Sequence, residues 1–367
     1  MSNKRLFLDL HAIQTVPPSN INRDDTGSPK TAQYGGVRRA RVSSQSWKRA
    51  MRKYFDEFGD QFDLGVRTKY IVAYVSDKIR SKNPSLSEEE AKKRSINILN
   101  KIGFDVDKKS KKDDGTSNVL IFLSEDEAKT LANAALDKNK EKDIMEDFLS
   151  TKPALDIALF GRMVAGKPKL CEDASCQVAH AISTHGVQTE FDFYTAVDDL
   201  TPEDISGAAM MDTIEYNSST LYRYANIAIH ELVKQLNDKE KTVNALCLFV
   251  EAFIQSMPTG KITSFANQTL PQGIVLFLRK DRPVNLVTAF ETPIRSKKGY
   301  VDASIEGLFE EAEKAQKFTE APALALCLLK DERNEYSQIA ESVQNDKELY
   351  GRLRSYLGQV IDEMQEV

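Results

Sequence analysis

The chain has 367 residues, and its 50 basic and 55 acidic side chains give a net charge of −5. A hydrophobic fraction of 41% supports a sizeable core and excludes wholesale disorder, while four cysteines are too few for a disulfide scaffold. No apolar run approaches the ~18 residues of a membrane span, so we expect a cytoplasmic protein with no membrane association. The net acidity argues against a nucleic-acid binder unless the charges are segregated along the chain.

Hydrophobic alternation over residues 6–13 predicts a first strand that ends at Pro17 and Pro18. A polar loop over residues 19–34 follows, and Gly35 and Gly36 separate it from a short basic strand at residues 37–42. The next segment predicts the clearest helix of the chain, with Ser43 or Ser44 as its N-cap. Its apolar residues recur at helical spacing, with basic residues on the opposite side: Trp47, Ala50, Met51, Tyr54, Phe55 and Phe58.

The remainder of the chain predicts helices and strands in alternation. Residues 59–152 indicate a helical insertion, with helical patterns at 70–80, 86–102 and 124–149 and a lysine-rich loop at 105–118. A strand at 177–184 precedes two extended arms, 190–200 and 213–229, that form a hairpin around a polar tip. Aromatic residues alternate on these arms: Phe191, Phe193, Tyr222 and Tyr224.

The C-terminal third predicts a helix at 243–257, strands at 273–280 and 284–290, and a mostly helical tail. Strands separated by helices, with one early insertion and one protruding hairpin, indicate an α+β domain with appendages.

One window of the sequence segregates charge. Residues 26–55 hold eight basic residues and no Asp or Glu, so the rest of the chain carries −5 − 8 = −13. Cationic side chains leading into a helix N-terminus are suited to phosphate binding, since Arg and Lys neutralise phosphates and the first helical N–H groups are unpaired. A solvated basic face is the alternative interpretation of this window.

Other motifs indicate chemistry less specifically. Asp24 and Asp25 could bind a hard metal and cleave a phosphodiester, although such residues also satisfy loop backbone. The spacing of Cys171, Cys176, His180 and His185 is wrong for a zinc finger, and the odd separation of the two histidines would point them to opposite faces of a strand. We therefore predict no metal site and no cofactor.

Several segments together resemble the CasC family, the backbone subunit of the type I-E CRISPR surveillance complex, Cascade. The most specific is the run from Gly35 to Arg52, GGVRRARVSSQSWKRAMR, preceded by NRDD at residues 22–25. Segments 156–163, 179–185, 193–200 and 222–226 are similar to further family motifs in the same order. Val37 and Trp47 depart from the usual pattern, where Lys and an aliphatic residue are common.

This resemblance implies an α+β architecture: a palm related to the RNA-recognition (ferredoxin-like) fold, helical fingers inserted in it, and a β-hairpin thumb. The implied division is palm 1–59, fingers 60–176, palm 177–189, thumb 190–224, and the remaining palm with C-terminal helices at 225–367.

The resemblance also implies a function without catalysis. The subunit would polymerise head to tail along a guide RNA (crRNA) and present it for pairing with target DNA, together with other Cascade subunits. A metal-dependent ribonuclease using Asp24 or Asp25 is the alternative, since related RNA-cutting subunits carry a loop aspartate.

The basic window and the family motif together give the expected RNA-binding residues, the last two as apolar contacts of a displaced base: Arg23, Lys30, Arg38, Arg39, Arg41, Ser43, Gln45, Lys48, Arg49, Arg52, Met163 and Phe193.

Overall fold

The fold was analysed in a computed structural model, which describes residues 5–106, 116–117, 119–137, 139–196, 210–331 and 333–361. Its strands are β1 (Phe7–Ser19), β2 (Thr31–Tyr34), β3 (Val37–Val42), β4 (Val66–Thr68), β5 (Ile121–Leu123), β6 (Cys176–Val178), β7 (Ala181–Ser183), β8 (Glu190–Ala196), β9 (Met210–Ala228), β10 (Gly273–Arg279), β11 (Leu324–Leu329) and β12 (Glu341–Ser342). Its α-helices are α1 (Ser44–Phe58), α2 (Ile71–Lys82), α3 (Glu88–Ile102), α4 (Glu125–Leu136), α5 (Ile144–Ser150), α6 (Leu155–Phe160), α7 (Ile229–Leu236), α8 (Lys239–Gln255), α9 (Ile262–Phe265), α10 (Val301–Ala315) and α11 (Asp346–Val360).

A ten-stranded mixed sheet forms the framework, in the order β12-β11-β10-β1-β9-β7-β3-β2, with β6 and β8 also paired to β9. Together with the helices it makes the α+β architecture that the sequence predicts. No described helix is both long and apolar enough to cross a bilayer.

The chain divides into two compact units. Unit 1 comprises Met1–Tyr54, Gln177–His230 and Leu246–Val367, and unit 2 comprises Phe55–Cys176 and Glu231–Ala245. Unit 2 has its own core, formed where α2, α3 and α4 pack their apolar sides together around residues such as Val75, Leu99 and Leu131. The expected division into palm, fingers and thumb remains a prediction.

Strand β1 lies at the centre of the sheet, between β9 and β10, and residues 6–14 are all buried. Pro17 and Pro18 do not end it, as the sequence suggested. The register shifts between Val16 and Ser19, and this irregularity accommodates two residues that lack an N–H group. The strand therefore runs to Ser19 and reaches the base of the β8–β9 hairpin.

A buried polar row crosses the sheet and fixes the segment after β10. The hydroxyl of Tyr224 donates to Asp9 Oδ1 at 2.8 Å, and Asp9 Oδ2 accepts from the amide of Val284 at 3.0 Å. The hydroxyl of Tyr222 contacts His11 Nδ1 at 2.9 Å and accepts from the amide of Leu286 at 3.0 Å. These bonds hold the start of the segment, in which Leu286–Phe290 is a 3-10 helix, so the predicted strand at 284–290 is wrong.

Tyr222 and Tyr224 belong to this core, not to the hairpin arms on which the sequence placed them. They pair with Ile13 and His11 of β1, and both are buried. The exposed aromatic residues of the hairpin are Phe191 and Phe193 on β8. The tip between the arms, residues 197–209, and most of the predicted loop at 105–118 lie outside the described residues.

Three other elements differ from the predicted ones. The helical pattern at 124–149 is two helices, α4 and α5, and the predicted strand at 177–184 is the pair β6 and β7 with His180 between them. The tail is less helical than predicted, because the apolar run at 321–329 contributes β11 beside β10.

His11 makes stability sensitive to acid. Burial and the charge of Arg279 lower the pKa of His11 from 6.5 to about 3. Between pH 6.5 and about pH 3, His11 is therefore protonated in the unfolded chain and neutral in the folded chain. The contribution of His11 to the free energy of unfolding should therefore fall by about 2 kcal/mol as the pH is lowered from 7 to 5. Burial raises the pKa of Asp9 to about 6, which opposes this trend, but a comparison of variants cancels that effect.

We predict that the gap in unfolding free energy between wild type and His11→Gln narrows by about 2 kcal/mol as the pH falls from 7 to 5. Urea denaturation at each pH measures it. A gap that stays constant would show that His11 is not held neutral in the folded protein.

Candidate nucleic-acid interface

The basic strand and helix lie together at one side of the sheet in unit 1. Strand β3 pairs with β2 and β7, and α1 follows directly after Val42. Ser43 is the N-cap: its Oγ accepts from the amide of Ser46 at 3.4 Å, and its own amide donates to Asn22 Oδ1 at 2.8 Å. The loop before β2 is thereby tied to the start of α1.

Helix α1 is amphipathic, as the spacing of its apolar residues predicts. Trp47, Ala50 and Met51 are buried on the core side. Its outer side carries Gln45, Lys48, Arg49, Arg52 and Lys53, of which Gln45, Arg49 and Lys53 are exposed. The middle of the helix therefore carries cations on the side opposite its packed residues.

Arg39 is not part of this surface, contrary to the sequence-based expectation. It is fully buried, and its guanidinium donates to the carbonyl oxygens of Tyr34 at 3.1 Å, Ser183 at 2.9 Å and Phe290 at 2.7 Å. Burial lowers its pKa. Ser43 is also buried and is used as the N-cap. Both residues position the surface and do not face solvent.

Arg38 and Arg41 complete the basic strand. Arg38 is exposed, and Arg41 is half-buried. The Nε of Arg41 donates to the carbonyl of Thr31 at 3.1 Å, and its Nη1 contacts Nδ1 of His180 at 3.1 Å. The sequence analysis considered His180 as a possible zinc ligand and within the family-like segment 179–185, but not as a neighbour of Arg41. The antiparallel pairing of β7 with β3 brings it to the basic strand.

The first aspartate of the pair in the loop is held by its own turn. The Oδ1 atom of Asp24 accepts from the hydroxyl of Thr26 at 2.7 Å and from the amides of Thr26 and Ser28, each at 3.0 Å. These bonds, led by that of the Thr26 hydroxyl, lower the pKa of Asp24. This carboxylate organises a turn. No group of three or more potential metal-ligating side chains occurs among the residues that the structure describes.

A cavity of about 360 Å³ opens between this loop, α1 and the segment after α8. The buried residues that line it include Ile21, Ala50 and Met257. Its lining also includes the basic residues Arg23, Arg49 and Lys53. The sequence-based list omitted Lys53, although it lies in the acid-free window and on the cationic side of α1. Asp24 also lines this cavity, so side chains of both charges border it.

The two predicted apolar contacts lie elsewhere. Phe193 is 61% exposed on β8, opposite Thr213 of β9. Met163 is 87% exposed and belongs to unit 2, just after α6. Each side chain is accessible, as a role in contacting a base requires.

The possible zinc ligands are used in other ways. The Sγ of Cys171 lies 3.3 Å from the amide nitrogen of Val164, which donates to it, and Cys176 is buried. His185 stacks on Tyr300 with ring centroids 3.6 Å apart and accepts from the amide of Thr220 at 3.1 Å.

The fold is an α+β architecture with a basic strand and helix at one side of its large mixed sheet, and comparison with known proteins specifies the family. Residues 8–353 match the sequence model of the CT1975-like proteins. The chain belongs to this family of CasC-type CRISPR backbone proteins, as the sequence resemblance indicated.

Two solved structures are similar over nearly the whole chain. A chain of a "CRISPR RNA-guided surveillance complex, pre-nicking" superimposes with a TM-score of 0.85 and 30% identity, covering 96% of this chain and 100% of that one. A chain of a "CRISPR RNA-guided surveillance complex" gives a TM-score of 0.75 and 27% identity, covering 95% and 99%. A search of curated protein sequences gives no significant match.

Arg38 and Arg39 provide a matched test of the two roles of basic residues in β3. Arg39→Gln should lower the free energy of unfolding by about 3 kcal/mol, because buried carbonyl groups lose their donors. Arg38→Gln removes the same charge from an exposed position and should change stability by no more than about 0.5 kcal/mol. Urea denaturation measures both, and equal losses would contradict the assignment.

Proposed function

We propose that the chain is the non-catalytic, guide-RNA-binding backbone subunit of a type I-E CRISPR surveillance complex. The observation that carries the proposal is the acid-free window 26–55, which forms β3 and most of α1 and is exposed on one side and packed on the other, in a chain whose remainder is net acidic. The two similar solved structures are chains of RNA-guided surveillance complexes, which supports the same assignment.

Contacts to the RNA backbone are the mode of binding that the surface favours. Phosphate contacts hold any sequence in register, so the guide could vary while the protein stays the same. Structural positions refine the expected set by moving Arg39 and Ser43 into a positioning role. The remaining phosphate-binding candidates are Arg23, Lys30, Arg38, Arg41, Gln45, Lys48, Arg49 and Arg52, with Lys53 added.

Phe193 and Met163 are proposed to contact a base that is displaced from the guide. Both side chains are apolar and exposed, so each could cover the face of an unstacked base without reading its identity. The displaced base would leave its neighbours free to pair with target DNA. In this assignment residues 190–224 act as the thumb and residues 60–176 as the fingers.

Copies of the chain would assemble head to tail along the guide, beside other subunits of the complex. A heterologous contact that does not close generates a helical filament, and the RNA length would set the number of copies. Segregated charge assists this arrangement, because a basic surface and a remainder of −13 are complementary between neighbouring copies.

RNA binding should weaken steeply with salt, and each phosphate contact that is removed should reduce the slope. Arg38→Gln and Arg49→Gln should each lower the slope of log K against log salt by about 0.7, the value for one contact to a single strand. Sedimentation of the protein on labelled RNAs of increasing length measures the affinity and the number of copies bound.

Arg352→Gln is the matched control, because Arg352 is exposed on α11 and pairs with Glu341. Its slope should equal that of wild type. A wild-type protein that binds no RNA, or a copy number that does not rise in steps with RNA length, would overturn the proposed assembly.

The ribonuclease alternative is disfavoured because the Asp24 carboxylate is used by its own turn. We predict that labelled RNA bound by the protein stays intact in the presence of Mg²⁺. Gel analysis of wild type and of Asp25→Asn decides the question. Cleavage by wild type that disappears in Asp25→Asn, with RNA binding retained, would establish an enzyme.

A further inference from the structure

His180 lies on the basic face, at a position that the expected RNA contacts do not include. It is exposed in the short connection between β6 and β7. Strand β7 pairs with the end of β3, where Ile182 opposes Arg41. The imidazole therefore stands beside the last arginine of the basic strand, next to the start of α1.

The contact with Arg41 fixes the proton of the neutral imidazole. A guanidinium group can only donate, so in the 3.1 Å contact between Arg41 Nη1 and His180 Nδ1 the ring nitrogen is the acceptor. The proton of the neutral ring is then on Nε2, which is a hydrogen-bond donor. Arg41 is held from the other side by the carbonyl of Thr31, so both groups are positioned before any ligand arrives.

Lys30 is the second cation of this cluster. Its carbonyl accepts from the amide of Arg41 at 2.9 Å, which places the two residues on adjacent chain segments. Partial burial, then the charges of Arg41 and Lys30, lower the pKa of His180. In the described part of the chain, no carboxylate forms an ion pair with Lys30, Arg41 or His180. The cluster of Lys30, Arg41 and His180 therefore brings together hydrogen-bond donors that no carboxylate neutralises.

We propose that Lys30, Arg41 and His180 form a subsite for one phosphodiester of RNA, in which His180 Nε2 donates to a phosphate oxygen. The inference rests on the proposed RNA-binding function. It adds His180 to the RNA contacts and identifies the proton on its Nε2 as the one that is donated. A phosphate is the ligand that fits, because it supplies the negative charge the cluster lacks and accepts hydrogen bonds from all three side chains.

Proton uptake by His180 requires the contact with Arg41 to rearrange. Because Nε2 already carries the proton that is donated to the phosphate, a second proton must go to Nδ1, and the Nη1–H group of Arg41 then donates to the phosphate instead. Arg41 from β3 and Lys30 from the segment before β2 are the charged groups that face His180, and both oppose its protonation in the free protein. A bound phosphate offsets them and raises the pKa of the ring, so the complex holds a proton that the free protein lacks. The affinity for RNA must then rise as the pH falls through the window between the two pKa values.

The test is RNA affinity at fixed ionic strength from pH 8 to pH 5.5, measured with a labelled uridine oligonucleotide. Wild type should bind several-fold more tightly at the lower pH, because the complex takes up a proton on His180 that the free protein lacks. His180→Gln retains an oxygen that can accept from Arg41 but cannot titrate, so this gain should be lost. His230→Gln is the matched control, because His230 contacts the backbone of Leu6 on another part of the sheet.

The outcomes separate this inference from the function on which it rests. If His180→Gln binds RNA with the same pH slope as wild type, His180 is not the titrating contact and the subsite is wrong. Loss of the slope in His230→Gln would also contradict the assignment. If wild type binds no RNA at any pH, the proposed function fails, and the subsite fails with it.

Discussion

A buried guanidinium group joins the elements on which the basic surface depends. Arg223 of β9 is 2% exposed and lies between two aromatic rings, 3.7 Å from the centroid of Trp47 on α1 and 4.4 Å from that of Phe253 on α8. It donates to the side chain of Gln14 on β1 and to the carbonyl of Phe253. Among the described residues no carboxylate pairs with it, and burial lowers its pKa to about 9. Cation–π contacts, worth about 2 kcal/mol when desolvated, offset part of that cost.

This anchor determines what α1 can do. The cations on one side of α1 repel one another, so the helix depends on firm packing of its other side. Trp47 supplies that packing against Arg223. The departure of Trp47 from the usual family pattern thus has a physical role in this chain. The same strand, β9, continues as one arm of the hairpin: Tyr222 pairs with β1, whereas Tyr216 pairs with Glu190 of β8. The elements that carry the basic helix and the hairpin are therefore joined by one uninterrupted strand.

Sequence reasoning succeeded where periodicity alone decides the outcome and failed where tertiary pairing decides it. The stripe of Trp47, Ala50 and Met51 specified α1 and its buried side, and the alternation of residues 6–13 specified β1. Periodicity could not show that Arg39 is buried while Arg38 is exposed. Two adjacent residues of β3 point to opposite sides of the sheet, and the sequence does not show which side is covered. Nor could it place His180 beside Arg41, since that contact depends on the pairing of β7 with β3 across 139 residues. The RNA-binding role of the remaining residues stays a prediction.

Net charge was a poor guide to binding because the fold uses some charges internally and presents others. Arg39 donates to buried carbonyl groups and Arg223 packs on aromatic rings, so neither contributes charge to the accessible surface. Asp24 is an exposed acid in the loop beside the basic surface, and it keeps its charge because the hydrogen bonds that its carboxylate accepts lower its pKa. Its Oδ1 accepts three hydrogen bonds from Thr26 and Ser28, and these bonds shape the loop that carries Arg23. Whether a charge binds RNA is therefore decided by its hydrogen-bond partners in the folded chain, which the sum of −5 cannot reveal.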